Sequence, residues 1–246
     1  MYKYSIDINA DLGEGVENEG QLIPFLSSCN IACGGHAGDE KSMRSTIQLA
    51  NQHQVKIGVH PSYPDTKNFG RLSMQMTPKA LIESITSQIS YFKTLCDQEK
   101  AVLYHIKPHG ALYNDVAKNA DLAKIFLKAI SSFKKELKLY VPYASEIAKV
   151  ALKEEFTLVY EAFLDRNYKD DLSLVSRQEN NAILENPPEI LAQLLSIVED
   201  HQLQTITGKF VKINAETFCI HGDTDAALEI LTYLHRNVSN HQISIK

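Results

Sequence analysis

Seven times along the chain a short run of β-prone apolar residues ends in a polar cluster punctuated by Gly or Pro, and no other feature restricts the fold as much. The runs are YSIDIN (4–9), CNIAC (29–33), VKIGVH (55–60), AVLYHI (101–106), KLYVPY (138–143), TLVYEAF (157–163) and TFCIHG (217–222). Segments of helical period follow most of them. Leu81, Ile85, Ile89, Phe92 and Cys96 share one helical face behind Thr77-Pro78, an N-cap followed by proline in the first turn. Leu122, Ile125, Phe126, Ala129, Ile130 and Phe133 mark a second helix, and Leu191, Leu194, Leu195 and Val198 a third behind Asn186-Pro187. Asp39 and Asp223 are placed to cap helices that begin at Glu40 and Thr224.

Strands alternating with helices predict parallel strands joined by right-handed crossovers, hence an α/β fold. The strands lack clean polar alternation, which suits burial on both faces. An open doubly wound sheet gathers its ligand groups at one switch point, whereas a closed barrel brings every strand end to one mouth. Because nearly every run ends in a polar cluster, the prediction is a parallel (β/α) barrel of seven strands, a relative of the eight-stranded form. With 246 residues and no linker, low-complexity segment or fixed-period repeat, a single domain over 1–246 is expected.

Charge and composition exclude several partners. A net charge of −5 with no Lys/Arg-rich run offers nothing to a phosphate backbone, so nucleic acid is not expected. No apolar run approaches the roughly 18–20 residues that span a bilayer, so no membrane is expected. The amino terminus lacks a basic region followed by an apolar stretch, which points to the cytoplasm. Of the four cysteines only Cys29 and Cys33 are close in sequence, and they lack a second pair to complete a zinc site. Reduced, buried thiols are expected.

The polar clusters carry the chemistry. In DINADLGEG, a period of two sends Asp7, Asn9 and Asp11 to one side, into the barrel mouth, with Glu14 just beyond. Acids at adjacent depths are a costly arrangement unless they act. His36 and Asp39 lie in NIACGGHAGDE, His60 ends VKIGVH, and HIKPHGALYN supplies His105, Lys107, His109 and Asn114. A lysine facing a barrel interior needs an anionic partner, either a carboxylate such as Glu161 or the substrate. Glu161, Asp165 and Arg166 follow in YEAFLDRNY, and His221 and Asp223 in CIHGDTDAA. Five of the nine histidines, His36, His60, His105, His109 and His221, thus sit at strand ends, where a barrel core needs none. Some of these residues also have structural readings: helix caps for Asp39 and Asp223, a surface pair for Asp165 and Arg166, a hydrogen-bonded core ring for His105.

His and Asp on separate strands could hold a divalent metal such as zinc or manganese, though no HExxH motif fixes ligands or metal identity. The phosphate-loop pattern GxxxxGK[ST] and the esterase elbow G-x-S-x-G are absent. Any ATP must therefore be bound by other means.

The ordered blocks DINADLGEG, NIACGGHAGD, GVHPSYPD, FGR, HIKPHGALYN, EAFLDRNY and CIHGDT resemble the LamB/YcsF family, from about Ile6 through His221 into the final helix. The resemblance implies a seven-stranded barrel similar to sugar deacetylase and glycoside hydrolase barrels. It also implies cleavage of a lactam, 5-oxo-L-proline, to L-glutamate coupled to ATP hydrolysis, in company with 5-oxoprolinase subunits B and C. Ala10, Gly35, Ser62 and Leu164 stand where the family often has Cys, Phe, Gly and Ala, which affects pocket shape more than chemistry.

A lactam is a poor electrophile, and phosphorylating its oxygen would open the ring carbon to water. Such a site needs cations, a base and an acid. On this reading Lys107 with Arg71 or Arg166 neutralises negative oxygens and Asp11 or Glu14 is the base. His36, His60, His109 or His221 moves protons, and Glu161 joins the catalytic group. Asn9, Asp39, Asn114, Asp165 and Asp223 are further substrate contacts. Two other readings are a metal-dependent deacetylase or amidohydrolase acting alone, and a non-catalytic subunit that binds the lactam.

Overall fold

The computed structural model describes residues 2–222 and 226–246. Its strands are β1 (Tyr4–Leu12), β2 (Ser28–Ala32), β3 (Lys56–His60), β4 (Leu103–Ile106), β5 (Lys138–Pro142), β6 (Leu158–Phe163), β7 (Gln202–Gln204), β8 (Phe210–Lys212), β9 (Thr217–Cys219) and β10 (Ile243–Ile245). β1 to β6 pair in sequence order, all parallel, and β9 closes the ring by pairing with both β6 and β1: Thr217 stands beside Glu161 on one side and Asp7 on the other. The result is the expected seven-stranded parallel barrel. β10 adds to the start of β1, with Tyr4 beside Ile243, while β7 and β8 form an antiparallel hairpin before β9.

The helices are α1 (Glu19–Leu22), α2 (Glu40–Gln52), α3 (Pro78–Gln98), α4 (Gly110–Lys118), α5 (Ala120–Ala129), α6 (Glu146–Lys153), α7 (Pro187–Asp200) and α8 (Ala227–Asn237). The capping signals work as read: Thr77 accepts from the Ala80 amide and Asn186 from the Glu189 amide, each with proline in the first turn. Leu81, Ile85, Ile89, Phe92 and Cys96 are all buried on the inner face of α3. The helix expected through Phe133 stops at Ala129 and continues as a 3-10 turn over Ser131–Phe133. The expected start of a helix at Thr224 lies outside the described residues; α8 is described from Ala227. Among the described residues, no helix is long and apolar enough to cross a membrane.

One expectation is corrected. β1 does alternate, but with the apolar side outward: Ile6, Ile8, Ala10 and Leu12 join the core cluster between barrel and helices, and the polar set Asp7, Asn9 and Asp11 enters the lumen. Both sets are largely buried, so polarity rather than exposure marks the two faces. Hydrogen bonds between strands that are not neighbours must cross the lumen. Asn30 of β2 meets His105 of β4 at 2.6 Å, and Asn9 of β1 donates to Glu161 of β6 at 3.0 Å. Lower down, Asp7 accepts from Ser28 at 2.6 Å and Thr217 at 2.7 Å. The barrel is filled by polar groups that satisfy one another, which is what burial of such groups requires.

His105 shows how tightly the lumen is fitted. Its ring stacks on Tyr140 at 3.8 Å and fills space that only glycine at position 58 leaves open. A methyl group there would lie 2.0 Å from His105 Nε2. His105 is the buried, hydrogen-bonded core ring of the structural reading, and burial keeps it in the neutral form.

Candidate active site

The carboxyl ends of the strands open into a cavity of about 600 Å³. Its floor is built by continuing strand pairing past the formal ends of β3 and β4. The Lys107 amide donates to Val59 O at 3.0 Å and the His109 amide to Pro61 O at 2.9 Å, so His105, Lys107 and His109 keep to one side. The chain then turns into α4 at Gly110, whose φ is +56°. A side chain there would meet Gly70 O at 2.6 Å, the same oxygen that accepts the Ala111 amide at 2.9 Å, so the 61–72 loop seats directly on the start of α4.

Lys107 lies at the centre. It is 1% exposed, and its Nζ lies 2.9 Å from Glu161 Oε1, 3.0 Å from Asp11 Oδ1, 3.3 Å from Asn9 Oδ1 and 3.2 Å from Cys219 Sγ. Burial alone would lower its pKa, but Asp11, Cys219 and Glu161 outweigh it and hold the ammonium charged. Burial likewise would raise Asp11, yet His60 and Lys107 keep that carboxyl well below the usual range. The partner sought for Lys107 is thus protein: two carboxylates share one ammonium. Tyr113 donates to the second Glu161 oxygen at 2.8 Å, and Asn30 to Asp11 Oδ1 at 2.8 Å.

Beside this triad, Glu14, His36, His60 and His109 pack into a second group. His36 Nε2 lies 2.9 Å from Glu14 Oε1, and its ring is stacked on His109 at 3.6 Å. His60 Nε2 is 3.3 Å from Asp11 Oδ2 and 3.0 Å from His109 Nδ1. Burial, with His60 nearby, pushes His36 down to about 3 and lowers His109 as well, so both rings are neutral at physiological pH. Asp11, Glu14, His60 and His109 each offer one atom to a space in which all four lie within 4.8 Å of one another. Two imidazoles and two carboxylates form a donor set that suits a divalent transition metal.

The opposite wall carries His221. Its Nδ1 lies 2.9 Å from both oxygens of Asp165, which also accepts the His221 amide at 2.9 Å, and Phe163 stacks on the ring at 5.1 Å. Burial would raise the Asp165 carboxyl, but His221 lowers it, and the acid remains ionised. A carboxylate can only accept, so Nδ1 carries the hydrogen and Nε2 keeps its lone pair.

Several sequence expectations are corrected. Asp39 is an exposed N-cap of α2 in a capping box with Ser42, and it does not line the cavity. Asp165 is fully buried behind His221 rather than presented to a ligand. Asp165 and Arg166 are no surface pair. Arg166 is buried, borders the cavity, and holds Val175 O at 2.5 Å and Ala182 O at 3.3 Å, which engages its guanidinium in fixing the 173–184 segment. Asn9 and Glu161 act one layer below the cavity, on Lys107 and on each other. Asn114 and Arg71 line the rim, Asn114 on α4 with its amide on Gly110 O at 3.2 Å, and Arg71 over the Phe69 ring at 4.9 Å. Asp223 lies outside the described residues.

Sequence reasoning passed over Asn30, Tyr113, Phe163 and Cys219, all of which touch the acid–base groups. The available signals were an asparagine inside the apolar run CNIAC and a cysteine two residues before His221.

A closed parallel barrel with buried titratable groups converging at the carboxyl ends of its strands defines a (β/α)-barrel protein with its site at the mouth. Within that class the chain belongs to the LamB/YcsF family, whose model matches residues 6–246. It is 39% identical over 240 residues to the 5-oxoprolinase A-chain subunit of Haemophilus influenzae (strain PittEE), covering 98% of each chain. The crystal structure of a lactam utilization protein from Thermus thermophilus superposes with a TM-score of 0.90 at 28% identity, covering 98% of this chain and 99% of that one. A family 4 carbohydrate esterase from Streptomyces lividans shares the fold with a TM-score of 0.51 at 11% identity, covering 100% of this chain and 93% of that one.

Proposed function

We propose that this chain is the A-chain component of an ATP-dependent 5-oxoprolinase and opens the lactam ring of 5-oxo-L-proline to give L-glutamate. The observation that carries the reading is the end-to-end match, at 39% identity, to a relative named for that component. The cavity supports it chemically. Ring opening adds water to the amide carbon, breaks the carbon–nitrogen bond and leaves the nitrogen needing a proton. His221, oriented by Asp165, presents Nε2 to take the proton from water and return it to the departing nitrogen. Arg71 and Lys118 at the rim supply positive charge for the substrate carboxylate and for an activated oxygen.

The buried triad positions rather than contacts. Lys107 holds Asp11 and Glu161 ionised and fixed, so the floor keeps its charge and shape while the substrate binds. With no phosphate-loop pattern in this chain, the ATP-handling step belongs to partner subunits B and C. The test is glutamate formation from 5-oxoproline by the purified chain, with and without subunits B and C, as ATP is varied. Glutamate that requires all components and ATP is expected. Glutamate formed by this chain alone, or none from the complete set, contradicts the reading.

A further inference from the structure

The tautomers of two histidines on the cavity floor can be read from their outer contacts. His60 Nδ1 lies 2.7 Å from Lys107 O, and His109 Nε2 lies 3.0 Å from Phe69 O. A backbone carbonyl only accepts, so each of these nitrogens carries the hydrogen and the other nitrogen of each ring is left with a bare lone pair. Those two, His60 Nε2 and His109 Nδ1, face each other at 3.0 Å. Two acceptors at that separation repel unless something positive lies between or beside them.

The remaining neighbours add negative charge. Asp11 Oδ2 is 3.3 Å from His60 Nε2, and Glu14 Oε1 is 3.4 Å from His109 Nδ1. Asp11 has its other oxygen held by Lys107 at 3.0 Å and Asn30 at 2.8 Å, which leaves Oδ2 turned to the histidines. Glu14 is steadied by His36 at 2.9 Å, and His36 is in turn stacked on His109. Ligand atoms about 2.0–2.2 Å from a tetrahedral ion stand roughly 3.3–3.6 Å apart, close to the spacings seen here. Histidines tied through their second nitrogen to carbonyls, and a carboxylate tied through its second oxygen to lysine and amide, are the outer contacts that orient metal ligands.

We propose that Asp11, Glu14, His60 and His109 bind one divalent first-row transition-metal ion, Zn²⁺ being the best match to two imidazoles and two carboxylates. A cation held there supplies Lewis acidity at the cavity floor, beneath the His221 wall. The inference rests on ring tautomers and spacing alone and does not depend on the lactam reading.

The test is a titration of the full-length chain, freed of metal by dialysis against a chelator, with Zn²⁺ followed by calorimetry and with Co²⁺ followed by visible absorption. One ion per chain, bound at about 1 μM or tighter, is expected, with a rise in the urea midpoint when Zn²⁺ is present. His60→Gln and His109→Gln should each weaken binding at least about tenfold. Circular dichroism checks the fold of each variant, and the wild-type urea shift tests the site without any variant. Binding weaker than about 1 mM, or undiminished in the His60→Gln/His109→Gln double variant, overturns the proposal. Because the readout is metal itself, glutamate formation without binding defeats this inference and spares the lactam reading, and binding without glutamate does the reverse.

Discussion

Lys107 Nζ and Glu161 Oε1 lie 2.9 Å apart where neither side chain reaches solvent, and Asp11 completes the group from the far side of the barrel. Removing the lysine would leave two buried carboxylates without their shared cation. Lys107→Met is expected to lower stability by about 3–5 kcal/mol, the range for breaking a buried ion pair on one side. Urea unfolding at neutral pH measures it. A loss below about 1 kcal/mol would show that the triad does not hold the barrel as described.

Gly58 and His105 are matched in shape. Gly58→Ala drives a methyl group into the imidazole and should cost about 1–3 kcal/mol. Removing the obstacle tests the cause: in a His105→Ala background the same change should cost far less, a coupling of roughly 0.5–3 kcal/mol in a double-mutant cycle. Additive losses would place the strain elsewhere.

His105 also sets a pH dependence. Burial holds its pKa well below 6.5 in the folded chain, whereas the unfolded chain titrates near the ordinary value. Between the two the unfolded state binds the extra proton, so this contribution to stability is present above about pH 6.5 and lost as pH falls below it. His105→Gln should therefore flatten the fall in urea midpoint below pH 6.5, by up to about 1.4 kcal/mol per pH unit. An unchanged slope would mean that His105 is not the buried neutral ring.

Arg166 ties the 173–184 segment to the cavity wall through Val175 O and Ala182 O. Lysine cannot reproduce a planar fork that reaches two carbonyls. Arg166→Lys is expected to speed amide hydrogen exchange across 173–184 by at least about tenfold, with β1 to β6 unaffected. Unaltered exchange would show that the segment is held by other contacts.

Much of this molecule was legible in its sequence, for reasons that can be named. The seven strands could be read because each ends in a break of pattern, and Thr77-Pro78 and Asn186-Pro187 marked helix starts because their caps are local interactions. Histidines and acids at strand ends pointed to the mouth because parallel closure carries all such ends to one place. Long-range pairing was not legible. Lys107 could be read as needing an anion, but its partners Asp11 and Glu161 are 96 and 54 residues away along the chain, and only barrel closure brings them together. Asp165 looked like a ligand contact and turned out to stand behind His221, since a sequence shows which residues end a strand and not which of them lies in front. α4 was missed because Pro108 and Gly110 read as a bend, whereas Gly110 in the left-handed region opens a helix.

The central claim is that this chain opens a lactam with His221 as the proton carrier, held in one tautomer by Asp165. The most direct measurement is the rate of glutamate formation from 5-oxoproline, with ATP and subunits B and C present, for His221→Gln and Asp165→Asn against the parent chain. The account predicts a fall in kcat of at least about 100-fold in both, with the complex still assembled and KM little changed. Full turnover by either variant would contradict it.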